Sequence, residues 1–266
     1  TQSSFYSPFT KTKPKFLNDT EWGQLQGRAN ALIDGPLRAA YAKHYDWYVN
    51  RFAPKCFKDD GVWAQPNGRA YYAYRIRSET TTNLTADQVH KIGLNEVARI
   101  RAEMEAVAKK AGFASREAMI ADMRTNPVFY AKTPEELMEK VARVTKTIDA
   151  NMPRLFTKLP RLSYGIREIP MSYAERTTTA FYNQGSPEQG ISGTYYVNTS
   201  KLNQRPFFEI PALSMHEAVP GHHHQIALQQ EMEMPQWRKQ TAYFTAFVEG
   251  WALYAERLGL EFNLYD

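Results

Sequence analysis

The chain of 266 residues lacks the features that mark several specialised classes of protein. Its single cysteine, Cys56, excludes an internal disulfide and any metal site built from several thiolates. No apolar run approaches the roughly 20 residues that a membrane-spanning helix needs, so we expect no transmembrane segment. The 33 basic and 28 acidic residues leave a net charge of only +5, and the basic residues are scattered along the chain. We therefore expect no nucleic-acid partner.

Helical signals dominate what is present. The hydrophobic fraction of 43% and the charged fraction of 23% are those of a globular protein. Apolar residues recur at helical spacing over residues 21–52, and Gly35-Pro36 is expected to divide this stretch into two helices. Thr85 with Gln88 forms a capping box that starts a further long helix. Another helix is predicted from Thr133 to about residue 150.

Strand signals are fewer. The aromatic alternation in residues 70–77, which follows Asn67-Gly68, predicts a short strand. Residues 161–169, 177–183 and 194–199 are rich in Thr, Tyr, Ile and Phe and predict a small sheet. The expected fold is mainly α with a small β-sheet (α+β). Residues 1–160 would form a helical domain with a short strand region, and 161–266 the sheet plus metal-site helices, together one continuous structural unit within a larger domain.

Four of the six histidines are His216, His222, His223 and His224, within nine residues. Such a concentration of imidazoles, with Glu217 beside the first, is typical of a zinc site with a general base. The spacing is irregular, because His222 would point about 120° away from His216 on an unbroken helix while His223 would nearly eclipse it. A bulge or a restart of the helix at Pro220-Gly221 can return His222 to the metal. Spacing alone does not choose between His222 and His223.

A third ligand is expected from the apolar segment 245–258, which carries Glu249 and Glu256 on one face. A carboxylate among Ala, Phe, Val and Trp residues is costly to bury unless it is paired or bound to a metal. The alternative for Glu249 is a surface ion pair with Arg257 or Arg238. Glu256 has Arg257 beside it and is expected to have a supporting or salt-bridge role. The alternative for the histidines is a solvated polar face or opportunistic capture of a metal.

Two segments carry a family resemblance: His-Glu-Ala-Val-Pro-Gly-His-His at 216–223 and Glu-Gly-Trp-Ala-Leu-Tyr-Ala-Glu-Arg-Leu at 249–258. The chain resembles the bacterial family catalogued as domain of unknown function 885, whose members look like zinc-dependent peptidases of the gluzincin kind. The resemblance implies a Zn²⁺ ion bound by His216, His222 and Glu249, with His223 as the alternative second ligand. It also implies that Glu217 is the general base for attack of a zinc-activated water on a peptide bond.

The same resemblance implies that a strand near the metal holds the peptide substrate, and Gly193–Asn198 is the expected segment. Gly193 would allow close approach, and Tyr195 or Tyr196 would donate a phenolic proton unless both merely pack the sheet. Family members are about twice as long, so the chain is expected to be a fragment whose missing C-terminal half completes the cleft. The resemblance also implies that the protein is a lipoprotein located in the bacterial periplasm or cell envelope. The alternatives are a non-catalytic or incomplete helical domain with a degenerate metal site, and a zinc hydrolase of non-peptide amides.

Overall fold

The computed structural model describes residues 3–265, the side chain of Gln240 excepted, and forms two compact units with their boundary between Arg69 and Ala70. The first unit contains helices α1 (Asp19–Leu32) and α2 (Arg38–Trp47). Gly35-Pro36 divides this stretch into two α-helices, as expected. A π-helical turn over Ile33–Leu37 joins the two helices, because its wider hydrogen-bonding pattern accommodates a proline that has no N–H to donate.

Nine further helices lie in the described part of the chain: α3 (Gly68–Thr80), α4 (Ala86–Lys110), α5 (Arg116–Thr125), α6 (Pro134–Leu155), α7 (Met171–Ala174), α8 (Ile210–Glu217), α9 (His222–Glu231), α10 (Gln236–Gln240) and α11 (Thr245–Leu258). The capping box of Thr85 and Gln88 is formed at the start of α4, and Thr133 caps α6. Within residues 3–265, no helix combines the length and the apolar character that crossing a bilayer requires.

The strand predicted over residues 70–77 is wrong, since these residues belong to α3. Tyr71, Tyr72 and Tyr74 are all about half exposed, so the aromatic alternation does not correspond to a buried face. Arg75 and Glu79, one helical turn apart, form an ion pair on α3. Over eight residues a period of two and a period of 3.6 overlap too much to separate strand from helix.

The small sheet is confirmed, and with it the fold class of mainly α with a small β-sheet. Its strands are β1 (Tyr164–Glu168), β2 (Ala180–Asn183) and β3 (Gly193–Val197). They lie in the order β1-β3-β2, with β3 parallel to β1 and antiparallel to β2. The strand latest in sequence is therefore the central one.

Helix α6 organises the core of the second unit. Its buried residues recur every three or four positions and form one stripe: Leu137, Val141, Thr145, Ile148 and Met152. The first half of the stripe packs with β2, β3 and Ile210 of α8, and the second half packs with Met215 of α8. Helix α8 is thus held between α6 and the sheet, and its C-terminal end carries His216 and Glu217.

The stripe predicts the stability of the second unit. Val141→Ala, at a position only 1% exposed, is expected to lower the free energy of unfolding by about 2 kcal/mol, because two buried methyl groups are lost. Val107→Ala on α4, at a position 55% exposed, is the matched control and should change it by less than about 0.5 kcal/mol. Urea unfolding measures both, and equal losses would contradict the assignment of the core.

Candidate metal centre

The chain between His216 and His222 does not continue as one helix. Helix α8 ends at Glu217 and α9 begins at His222, so the expected restart at Pro220-Gly221 is observed. A Cβ atom on Gly221 would lie 1.9 Å from the carbonyl oxygen of His216, so only glycine fits this turn. The turn places the His222 ring against the His216 ring, with their centroids 4.7 Å apart and their planes nearly perpendicular.

Helix α11 brings Glu249 to the same place. One carboxylate oxygen of Glu249, Oε2, lies 3.5 Å from Nε2 of His216 and 3.7 Å from Nε2 of His222. One donor atom from each of the three residues lies within 4.8 Å of the other two. The three residues implied as ligands are therefore together, although they come from three different helices.

The donor set fits a zinc ion. Two donors bound about 2.1 Å from a tetrahedral centre are about 3.4 Å apart, close to the two distances measured from Glu249. His216 and His222 are partly buried, whereas the Glu249 side chain is 50% exposed. Two imidazoles and a carboxylate at a partly open position are also the ligand types of catalytic zinc sites.

Glu256, two turns beyond Glu249 on α11, orients His216. Its Oε1 accepts a hydrogen bond of 2.9 Å from Nδ1 of His216, which leaves Nε2, 3.5 Å from Oε2 of Glu249, as the ring nitrogen available to a metal. A carboxylate behind a histidine in this way fixes the tautomer that can bind a metal. The sequence indicated a supporting or salt-bridge role for Glu256 and pointed to Arg257 as its neighbour, but its partner is His216.

His223 is occupied elsewhere. Its side chain is buried, Nε2–H donates to the carbonyl oxygen of Leu162 at 2.9 Å, and Nδ1 accepts from the hydroxyl of Tyr182 at 2.9 Å. Burial lowers the pKa of His223 to about 4, so its imidazole is neutral. With both ring nitrogens engaged, His223 offers no donor to the cluster.

Glu217 lies next to the cluster but outside the ligand set. It is only 8% exposed, and burial raises the pKa of its carboxyl group. The nearby Glu249 carboxylate raises this pKa further, while His216 and the backbone N–H of Tyr182 lower it. A carboxylate whose affinity for protons is increased, beside a potential metal site, is suited to accept a proton near neutral pH.

The residues expected to bind substrate make packing contacts within the protein instead. A Cβ atom on Gly193 would meet the Tyr182 hydroxyl at 2.3 Å, so this glycine makes room for packing within the protein. Tyr195 is completely buried in the core, and Tyr196 stacks on Phe181 with ring centroids 4.9 Å apart. Both sides of β3 are paired with neighbouring strands, so the expected pairing of a substrate with β3 is excluded in this sheet.

Two contacts at the site were missed by sequence reasoning. Trp251 Nε1–H donates to the carbonyl oxygen of Pro220 at 2.7 Å and ties α11 to the turn between α8 and α9. The Tyr182 hydroxyl, on β2, fixes His223. Trp251 lies inside the Glu-Gly-Trp segment, so its place in the motif could have indicated a role at the site. Nothing in the local sequence singles out Tyr182.

The fold and the cluster define a mainly helical protein with a small mixed sheet and a His-His-Glu group able to hold a metal ion. The model of a family described as "Bacterial protein of unknown function (DUF885)" matches residues 1–266, and the chain belongs to this family. The predicted family membership is confirmed. Among curated proteins, none matches the chain significantly.

Two solved structures are similar to the chain. One is the crystal structure of the "putative lipoprotein" from Colwellia psychrerythraea, with 28% sequence identity, a TM-score of 0.88 and coverage of 96% of this chain. The other is a "putative lipoprotein of unknown function" from Shewanella oneidensis, with 17% identity, a TM-score of 0.56 and coverage of 96% of this chain, and it shows the fold alone. The chain spans 44% and 47% of their lengths, respectively.

The tight turn between α8 and α9 gives a direct test of the geometry. Gly221→Ala is expected to lower the free energy of unfolding by at least about 2 kcal/mol, because the added methyl group collides with the backbone of His216. Gly250→Ala on α11 is the control, since its Cβ meets nothing within 4 Å, and it should be neutral or stabilising by up to about 1 kcal/mol. Thermal unfolding compares the two, and similar losses would rule out the tight turn.

Proposed function

We propose that the chain is the metal-binding part of a zinc-dependent, metallopeptidase-like hydrolase of the bacterial cell envelope. The observation that carries this proposal is the convergence of His216, His222 and Glu249 beside the buried carboxylate of Glu217. The similarity of the two motifs to those of gluzincin peptidases supports the same conclusion.

Different residues of the chain bind the metal, orient a ligand and transfer a proton. His216, His222 and Glu249 would hold the zinc ion, and Glu256 keeps His216 in the tautomer that presents Nε2. When bound, zinc supplies Lewis acidity, which polarises a carbonyl group and makes water acidic enough to lose a proton near neutral pH. A carboxylate oxygen of Glu217 takes the proton from the attacking water and passes it to the leaving amine.

The free edge of β2 supports a peptide as the substrate. Among the described strands, β2 pairs only with β3, so its other edge is unpaired within the sheet. The backbone N–H of Tyr182 on this strand lies close enough to Glu217 to lower the pKa of its carboxyl group. An extended peptide that adds to this edge would pass beside the general base. This edge replaces β3 in the proposal.

The cellular location and the remainder of the protein are part of the proposal. Both structural relatives are described as "putative lipoprotein", which supports a location in the cell envelope for this family member. The chain corresponds to less than half of either relative. We infer that the additional part of such proteins closes the cleft over the open side of Glu249.

Zinc binding can be measured directly on protein purified without a histidine tag. Glu249→Gln is expected to weaken zinc binding by more than about tenfold, because a charged ligand is lost. Glu256→Gln should weaken it by about tenfold, since the hydrogen bond that orients His216 is weakened. Glu261→Gln, at an exposed position shortly after α11, is the matched control and should leave the zinc affinity unchanged.

Calorimetric titration with zinc and elemental analysis give the affinity and the stoichiometry. One zinc ion per chain, with zinc affinity lowered in the Glu249 and Glu256 variants and unchanged in the Glu261 variant, supports the ligand set. Equal affinity in the Glu249 and Glu261 variants would eliminate Glu249 as a ligand.

The general base is tested separately. Glu217→Gln is expected to retain the zinc content but to lower peptide hydrolysis by about 10²-fold or more, because the amide cannot accept the proton from water. Glu261→Gln, the same exchange at an exposed position, is the matched control and should leave hydrolysis unchanged. Cleavage of a mixed peptide library followed by mass spectrometry measures both, and undiminished turnover in Glu217→Gln would exclude this residue as the base.

A further inference from the structure

A cavity of about 520 Å³ lies outside the cluster of His216, His222 and Glu249. It is lined by α9, α11, the segment that joins these two helices, and the residues that follow α6. Its volume lies within the range of about 300–1,000 Å³ that is typical of small-molecule sites. None of the three proposed ligands belongs to its wall, so the cavity is a separate feature of the protein.

The wall is mainly apolar. It includes Phe156, Leu228, Met232, Met234, Phe247 and Trp251. Met232 and Phe247 are 49% and 53% exposed, so the cavity presents apolar surface that no described residue covers. Methionine and aromatic side chains together form an adaptable surface suited to aliphatic or aromatic groups.

Two polar residues in the wall each have one buried atom without a hydrogen-bond partner. His224 and Gln225 are 2% and 8% exposed, yet Nδ1 of His224 and Oε1 of Gln225 have no partner among the described residues. Buried polar atoms are nearly always hydrogen-bonded in folded proteins. In the tautomer that carries a proton on Nδ1, His224 can donate to an oxygen atom of a ligand, whereas Oε1 of Gln225 can only accept.

The charge of the wall has one sign. Lys158 and Arg238 line the cavity and are exposed, whereas no acidic residue occurs among the described residues that line it. The positive charges are therefore not neutralised within the cavity wall. An anionic group on a ligand is complementary to this arrangement.

We propose that the cavity binds a small amphipathic carboxylate, with its aliphatic or aromatic body against Leu228, Phe247 and Trp251 and its carboxylate towards Lys158 and Arg238. This proposal does not depend on zinc or on hydrolysis. It assigns a second ligand site to the surface of α9 and α11 that faces this cavity.

The experiment uses cis-parinaric acid, a carboxylate whose own fluorescence rises in apolar surroundings, titrated into the 266-residue chain without zinc. Saturable binding is expected, and the methyl ester of the same probe should bind at least about tenfold more weakly. The double variant Lys158→Gln, Arg238→Gln should lose about tenfold in affinity for the acid and little for the ester. Arg257→Gln, an exposed arginine outside the cavity wall, is the matched control.

A second pair of variants tests the location. Leu228→Trp should fill the cavity and abolish binding of the acid, whereas Leu253→Trp, at a position of α11 that is 63% exposed and outside the wall, should leave it unchanged. Circular dichroism checks that both variants are folded. If Leu228→Trp is unfolded, the charge variants, which alter only exposed side chains, decide the question.

Several outcomes would overturn the proposal. These are no saturable binding of the acid, equal affinity for acid and ester, and equal binding by the two tryptophan variants. Loss of probe binding as protein concentration rises, together with a dimer in size-exclusion chromatography, would assign the cavity to a second copy of the chain.

Discussion

The contact between Gly221 and the backbone of His216 is the constraint on which the candidate site depends. A side chain at position 221 would overlap the carbonyl oxygen of His216. Because residue 221 is a glycine, the chain can turn sharply enough there to end one helix and begin the next. That turn brings two imidazoles six residues apart into contact. Trp251 holds the same turn from α11 through the carbonyl oxygen of Pro220, and α11 also supplies Glu249.

The electrostatics of the cluster favour a cation. Glu217, Glu249 and Glu256 place three carboxyl groups around two histidines in a partly buried region. Burial lowers the pKa of His222, so this imidazole is disposed to be neutral. A divalent ion would supply the positive charge that the surrounding side chains lack, and it would compensate for the desolvation of the carboxylates.

The sequence predicted the architecture well where the physical signals are local. Capping of α4 by Thr85 follows from hydrogen bonds within one turn, and the β-branched and aromatic segments between turn residues marked the three strands. The run at residues 70–77 failed because its aromatic residues are neither buried nor paired, so alternation carried no structural information there. The order of the strands depends on long-range pairing, and local patterns do not reveal that β3 is central.

In the candidate site, too, the sequence predicted what depends on local signals and missed what depends on distant contacts. Residue types and motifs identified His216, Glu217 and Glu249 as a group, but spacing left His222 and His223 equivalent. The choice depends on what each ring meets after the turn, and His223 meets Tyr182 and Leu162, which are distant in sequence. The role expected of Gly193 was also decided by distant partners, since the space beside it is filled by Tyr182 and His223.

The imidazole of His216 has a mechanical consequence for the way α11 lies against α8. Its two nitrogens contact Glu249 and Glu256, which are about 10 Å apart along the axis of α11. Sliding α11 by a single residue, about 1.5 Å, would disturb both contacts at once. The His216 ring and the Trp251 hydrogen bond together therefore set the longitudinal alignment of the two helices, so the loss of the ring should loosen their relative position as well as remove a donor atom.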